Sequence, residues 1–322
     1  MAEKDILITD SLFIDKTNEE ELKRAGFHVT RLDKPEATEE ELIVALKGKH
    51  GYILGGVEKC TKRVIDSTDS LEAIVFAGAG YQVFIPAWEE ATKKGIAIAN
   101  APGRNAASVA EYTVTMILVL LRNLFELGRI GTKKFETTMS VRDAIFGIVG
   151  MGNVGKMVAY DLKALGAKQI LYYNRSRKPE LEESLGIKYK SLEELLKDSD
   201  VVTLHASKEA GEKYIGTKEL KMMKNGAILI NASFASAVDF DALKKEIKEG
   251  RLKAAYDTPP DGKYDDLPIG GFFTSNSEAA YNTKEALATV SSMVTKSMIN
   301  LLKSGEDEYL VNPEYKEHKK SK

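Results

Sequence analysis

Residues 144–155 read Ala144-Ile145-Phe146-Gly147-Ile148-Val149-Gly150-Met151-Gly152-Asn153-Val154-Gly155. An apolar run of strand length enters a turn with three glycines, and the apolar positions of residues 154–165 then recur at helical spacing. Glycines spaced this way are common. A strand before and a helix after, inside a βαβ unit, make the pattern specific for a dinucleotide. Gly150 permits the tight turn, Gly152 lets the backbone approach a pyrophosphate, and Gly155 lets helix and strand pack closely. The helix that opens at Asn153 and Val154 points free N–H groups and its positive dipole end at the phosphates.

The next strand, residues 169–173, should end with the side chain that reads the adenosine ribose. It ends Tyr172-Tyr173-Asn174-Arg175-Ser176-Arg177-Lys178. An acidic residue there would accept bonds from a ribose 2′-hydroxyl and repel a 2′-phosphate. Asn174 repels nothing, while Arg175, Ser176 and Arg177 offer guanidinium groups and a hydroxyl suited to a phosphate dianion. The cluster predicts NADP(H) in preference to NAD(H).

The first hundred residues alternate short apolar strands (Ile6-Leu7-Ile8, Phe27-His28-Val29, Tyr52-Ile53-Leu54, Ala73-Ile74-Val75-Phe76, Ile96-Ala97-Ile98) with amphipathic helices. One helix opens on a capping box, Thr38 with Glu41, and another closes at Lys94-Gly95. A long apolar helix over residues 107–127 must be covered, by the other domain or by a second subunit. After it come the dinucleotide unit, further strands at 201–204, 227–230, 254–256 and 272–274, and a last helix over 284–302. The expected fold is α/β, with two doubly wound parallel-sheet domains.

The chain has 322 residues, 43% hydrophobic and 29% charged, with a formal net charge of −2. That balance suits a globular protein and gives no basic field for nucleic acid. The basic run at 316–322 reads as a frayed end. No apolar stretch is long enough for a bilayer, and the N-terminus has no signal region, so neither a membrane nor export is expected. The single cysteine, Cys60, has no base beside it in the sequence and reads as a buried thiol in a reducing, cytoplasmic setting.

Beyond the glycine turn, the sequence carries Ala77-Gly78-Ala79-Gly80-Tyr81, Asn100-Ala101-Pro102-Gly103 and Val109-Ala110-Glu111-Tyr112. It continues with Asp200-Val201-Val202-Thr203-Leu204-His205, Leu220-Lys221-Met222-Met223-Lys224-Asn225-Gly226-Ala227 and Val311-Asn312-Pro313-Glu314. In this order and spacing it resembles the D-isomer-specific 2-hydroxyacid dehydrogenases, in the phosphoglycerate dehydrogenase and glyoxylate/hydroxypyruvate reductase branch, over nearly the whole chain. The resemblance implies a flavodoxin-like substrate domain from residues 1–103 and 284–322. A Rossmann dinucleotide-binding domain, residues 104–283, would be inserted in it. It also implies an active site between the domains, a homodimer through the helix 107–127, and His205, Ala232, Ser233 and Asp257 along the cofactor. No residue is assigned to a metal.

That family uses an arginine for the substrate carboxylate, a histidine for the hydroxyl proton and a glutamate that orients the histidine. As hydride reaches a carbonyl carbon, charge develops on oxygen and an acid is needed. Here the arginine position is Phe234, the glutamate position Gly262 with Asp261 beside it, and the histidine position Asn276. His28, His50 and His318 fall elsewhere in the pattern. Phe234, Asp261 and Asn276 are therefore the candidate catalytic positions. Three readings stand: an NADPH-dependent reductase of a small carbonyl or imine substrate; a 2-oxo acid reductase whose proton donor has moved, to Tyr81, Asp261 or a water; and a non-catalytic NADP(H)-binding module. Phe234 and Asn276 leave the site less positive than the family's. A cationic iminium suits such a site, since its nitrogen already carries the charge, and Phe234 could add a cation–π contact.

Overall fold

A computed structural model describes residues 4–9, 14–34, 36–129, 135–206, 214–275 and 279–319. Backbone contacts divide the chain into two compact units, Met1–Asn105 with Lys284–Lys322, and Ala106–Thr283.

The first unit holds five strands: β1 (Lys4–Thr9), β2 (Phe27–Leu32), β3 (Gly51–Leu54), β4 (Ala73–Phe76) and β5 (Ala97–Ala99). All pair in parallel, in the order β2-β1-β3-β4-β5, the flavodoxin-like arrangement. Both faces are buried. Ile6 and Ile8 of β1 join a core with Leu22, Val294 and Met298, and Leu7 between them joins another with Leu42, Ile74 and Ile98. This is the period-two alternation of a strand covered on both sides. The helix Lys284–Lys303 supplies Val290, Val294 and Met298 to the first of these cores, so the end of the chain completes the fold begun by its first hundred residues. It closes where the sequence signals, at Gly305 with φ +75°. Buried Asn312 is fully engaged. Its Oδ1 accepts from the Ile98 N–H at 2.7 Å and its Nδ2 donates to Thr92 Oγ1 and the Ile96 carbonyl. Cys60 is buried, and burial pushes its thiol up to about 12.

The second unit holds β6 (Ile145–Val149), β7 (Gln169–Tyr173), β8 (Lys188–Tyr189), β9 (Val201–Leu204), β10 (Ala227–Asn231), β11 (Leu252–Tyr256) and β12 (Phe272–Thr274). Their order is β12-β11-β10-β9-β6-β7-β8, parallel throughout. The order reverses between β6 and β9. In an open α/β sheet, that crevice is where a ligand sits beyond the strand ends.

The helix expected over 107–127 is two helices, Ala106–Leu121 and Leu124–Leu127. Asn123 breaks it, in the left-handed region at φ 51°. Its side chain donates to Glu136 Oε1 at 2.7 Å and accepts from Lys253 Nζ, so tertiary bonds override a sequence that reads as continuous helix. The long helix is also covered by its own unit. Ala110, Val114, Ile117, Leu120 and Leu121 share a core with Phe146, Ile148, Val158 and Ile230. Its apolar character therefore does not by itself demand a second subunit. Among the described residues no helix is long and apolar enough to cross a membrane.

Candidate dinucleotide site

Strand register builds the site. Val149 is level with Tyr173 and with Leu204, Leu204 with Asn231, Asn231 with Tyr256, and Tyr256 with Thr274. The residues one step beyond that row, Gly150, Asn174, His205, Ala232, Asp257 and Ser275, therefore line one rim of one sheet. Backbone bonds extend the ladder to most of them. The N–H of Gly150 donates to Tyr173 O at 2.9 Å, that of His205 to Val149 O at 2.7 Å, and that of Ala232 to Leu204 O at 3.2 Å. Likewise the N–H of Asp257 donates to Asn231 O at 3.0 Å and that of Ser275 to Tyr256 O at 3.1 Å. Positions far apart in sequence meet because parallel strands place all their carboxyl ends together.

The glycine turn then shows why each glycine is needed. Gly150 has φ +95°, and a side chain there would meet the His205 carbonyl carbon and oxygen at 2.7 Å. A side chain at Gly155 would strike the Gly150 carbonyl oxygen. Gly152 differs: a Cβ built on it meets nothing within 4 Å, so the space over it is open. Gly152 precedes the helix Asn153–Ala164 and offers no side-chain cap, which leaves the first-turn N–H groups of Asn153, Val154 and Gly155 without a capping acceptor. Open space above a bare helix N-terminus fits an anionic pyrophosphate. Val154 packs on the unit's core while Asn153 is exposed.

Asn174 ties this turn to the ribose loop. Its Oδ1 accepts from the Met151 N–H at 3.1 Å, and its Nδ2 donates to the Ser176 carbonyl at 2.8 Å. Arg177 is occupied: Nε and Nη2 grip the Glu182 carboxylate at 2.7 and 2.6 Å. Arg177, with help from the Tyr172 hydroxyl, holds the Glu182 carboxyl down at about 2. Glu182 lies in the helix Pro179–Leu185, which Pro179 at its start announces. The four-residue cluster expected from sequence thus narrows to Asn174, Arg175 and Ser176, with Arg175 and Ser176 exposed.

His205 faces Thr203, whose Oγ1 is 2.9 Å from Nε2, while its buried Nδ1 makes no hydrogen bond among the described residues. Burial lowers its pKa from 6.5 to about 3, so the ring is neutral at pH 7 and is no imidazolium acid. The unfolded chain therefore takes up this proton first as pH falls. The stability this neutral ring contributes is whole above pH 6.5 and is lost as pH falls toward about 3, by up to ~1.4 kcal/mol per pH unit. In urea unfolding at pH 7 and pH 5, His205→Gln should show a smaller acid loss than wild type. Equal losses would contradict the assignment.

Asn231, missed in the sequence reading, organises the next turn. It is buried at the end of β10; its Oδ1 accepts from the Ser233 hydroxyl at 2.7 Å and N–H at 3.1 Å, and its Nδ2 donates to Phe234 O at 3.1 Å. A polar residue closing the apolar run Ala227-Ile228-Leu229-Ile230 was the available signal. Phe234 follows, half-buried and extended before the turn Ala235–Ala237. Asp257 is buried at the rim, whereas Asp261 is exposed. Gly262 has φ +93° with open space around it, a conformation that a glutamate would adopt only under strain. Asn276 and Glu278 lie outside the described residues. In the first unit, His28 pairs with Asp5 at 2.7 Å, and His50 Nδ1 accepts from the Asp5 N–H.

Residues 114–265 match the family model described as D-isomer specific 2-hydroxyacid dehydrogenase, NAD binding domain. The chain is 38% identical over 212 residues to a glyoxylate reductase of Thermococcus litoralis, a match spanning 62% of this chain and 63% of that protein. It is 35% identical over 237 residues to a glyoxylate reductase of Thermococcus gammatolerans, spanning 69% and 70%. The first of these matches thus takes in less than two thirds of the relative. A solved structure from Thermus thermophilus is similar with a TM-score of 0.83 at 25% identity, covering 95% of this chain and 99% of that one.

Proposed function

The chain belongs to the D-isomer-specific 2-hydroxyacid dehydrogenase family, and from that premise we propose that it is an NAD(P)-dependent oxidoreductase. Its substrate is a small carbonyl or imine, reduced with NADPH. The observation that carries the cofactor half is the open space over Gly152 in front of an uncapped helix. When bound there, the dinucleotide supplies hydride. The N–H groups of Asn153, Val154 and Gly155 would hold its pyrophosphate, and Asn174, Arg175 and Ser176 would receive its ribose end. Asn231 fixes the turn that presents Phe234.

Phe234 supports the substrate half. A phenyl ring cannot pair with a carboxylate, and neutral His205 cannot serve as a cationic acid. An iminium needs neither, because its nitrogen carries positive charge before hydride arrives. Screening NADPH oxidation against cyclic imines, simple aldehydes and 2-oxo acids tests this reading. Preference for a 2-oxo acid would overturn the substrate half while leaving the cofactor half intact. The glyoxylate reductase relatives favour that second reading, reduction of a 2-oxo acid with a proton from another donor.

The cofactor preference has its own test. Asn174→Asp places a negative charge beside a 2′-phosphate and removes the amide donor to Ser176. Calorimetry should then find NADPH weakened at least ~10-fold relative to NADH. Wild-type protein that binds NADH as tightly as NADPH would sink the preference.

A homodimer is proposed on narrower ground than the apolar helix, namely the exposed Leu124 and Phe125 that follow it. Sedimentation should give twice the chain mass at micromolar concentration; a monomer would refute it.

A further inference from the structure

The first unit contains a cavity of about 570 Å³, walled by one face of the helix Lys284–Lys303, by the segment after it and by Arg104. Its charges are unevenly committed. Asp307 is saturated: Oδ1 accepts from Ser297 Oγ at 2.9 Å and from the Tyr309 N–H at 2.9 Å, and Oδ2 accepts from Asn300 Nδ2 at 3.0 Å. That carboxylate is used to fold the 304–310 segment onto the helix. Arg104 is held at the cavity by Tyr309, whose hydroxyl accepts from Nη2 at 2.5 Å, with the guanidinium 5.5 Å from the ring centroid. Its Nε also donates to Met293 Sδ at 3.2 Å, and its Nη1 makes no described bond. Lys296 and Glu308 are exposed, line the cavity and have no described ion-pair partner. Among the described residues the lining charges without an ion-pair partner are therefore two cations, Arg104 and Lys296, and, beside the hydrogen-bonded Asp307 carboxylate, one further anion, Glu308.

We propose that this cavity binds a dicarboxylic amino acid, the two carboxylates meeting Arg104 and Lys296 and the ammonium meeting Glu308. The ammonium sets the preference: a simple dicarboxylate leaves Glu308, beside the Asp307 carboxylate, facing like charge, whereas an amino acid answers it. Ser292 and Asn300, on the same wall, supply neutral hydrogen-bonding groups. Arg104 comes from the first chain segment of this unit and Lys296 from the second, so a ligand held by both ties the two segments together and raises the unit's stability by linkage.

The test uses the full-length protein and titrates L-glutamate, D-glutamate, L-aspartate and glutarate at matched ionic strength, read by calorimetry and by thermal unfolding. Saturable binding of at least one amino acid is expected, at least ~10-fold tighter than glutarate and with a rise in Tm. Lys296→Met, a change at an exposed helix position, should weaken binding at least ~10-fold without altering the unliganded Tm. Glu308→Gln should abolish the preference over glutarate while leaving glutarate binding unchanged or stronger. Failure of every compound to saturate, glutarate binding as tightly as the amino acids, or unchanged affinity in Lys296→Met would each overturn the proposal.

Discussion

Joint replacement of Phe234→Arg and Asn276→His is expected to raise glyoxylate reduction by about 10²-fold or more from a low wild-type rate. The arginine supplies a charged hydrogen bond to the carboxylate, commonly about 1.5–3 kcal/mol, and the histidine general acid catalysis of about 10²–10⁴-fold. Both act on one transition state, so their effects need not add. The structure alters what should be restored. Gly262→Glu, which would complete the family's trio, forces a side chain onto a backbone at φ +93°, costing about 1–3 kcal/mol. Adding it should lower the Tm. Steady-state rates with glyoxylate and hydroxypyruvate check the prediction, and an ordinary enzymatic rate in the wild type would refute it.

The second large effect separates two kinds of glycine. Gly152→Ala should leave the unliganded Tm unchanged, because the new methyl meets nothing within 4 Å and φ is −84°. It should nonetheless weaken NADPH binding by ~10-fold or more, since that methyl occupies the approach to the pyrophosphate. Gly155→Val should do both kinds of harm: its side chain strikes the Gly150 carbonyl oxygen, forcing the helix away from the strand and lowering the Tm as well as binding. Unimpaired NADPH binding in Gly152→Ala would place the pyrophosphate elsewhere.

Sequence pattern carried the strands well because each is a short apolar run closed by a polar or glycine residue, as in 169–173 and 201–204. The rim of the second unit followed from those ends, since parallel pairing aligns them. What the pattern could not carry were choices made by distant partners. Asn123, next to Arg122, sits in a stretch with no Gly or Pro to break a helix, and its left-handed turn depends on Lys253 and Glu136. The burial of the Ala106–Leu121 helix was legible, but not that its own unit provides the cover. Arg177 looked available for a phosphate because its partner, Glu182, is brought back by a helical turn that single-residue reading ignores. Gly262 was legible as a missing carboxylate; its positive φ, which makes the loss hard to reverse, belongs to the backbone alone.

Binding of a nicotinamide dinucleotide at the turn from Gly150 to Gly155 underlies every other expectation for this protein. Titration calorimetry of the wild-type protein with NADPH tests it most directly. Saturable binding of one NADPH per chain is expected, tighter than NADH and weakened in Gly152→Ala. Absence of saturable heat with either dinucleotide would contradict it.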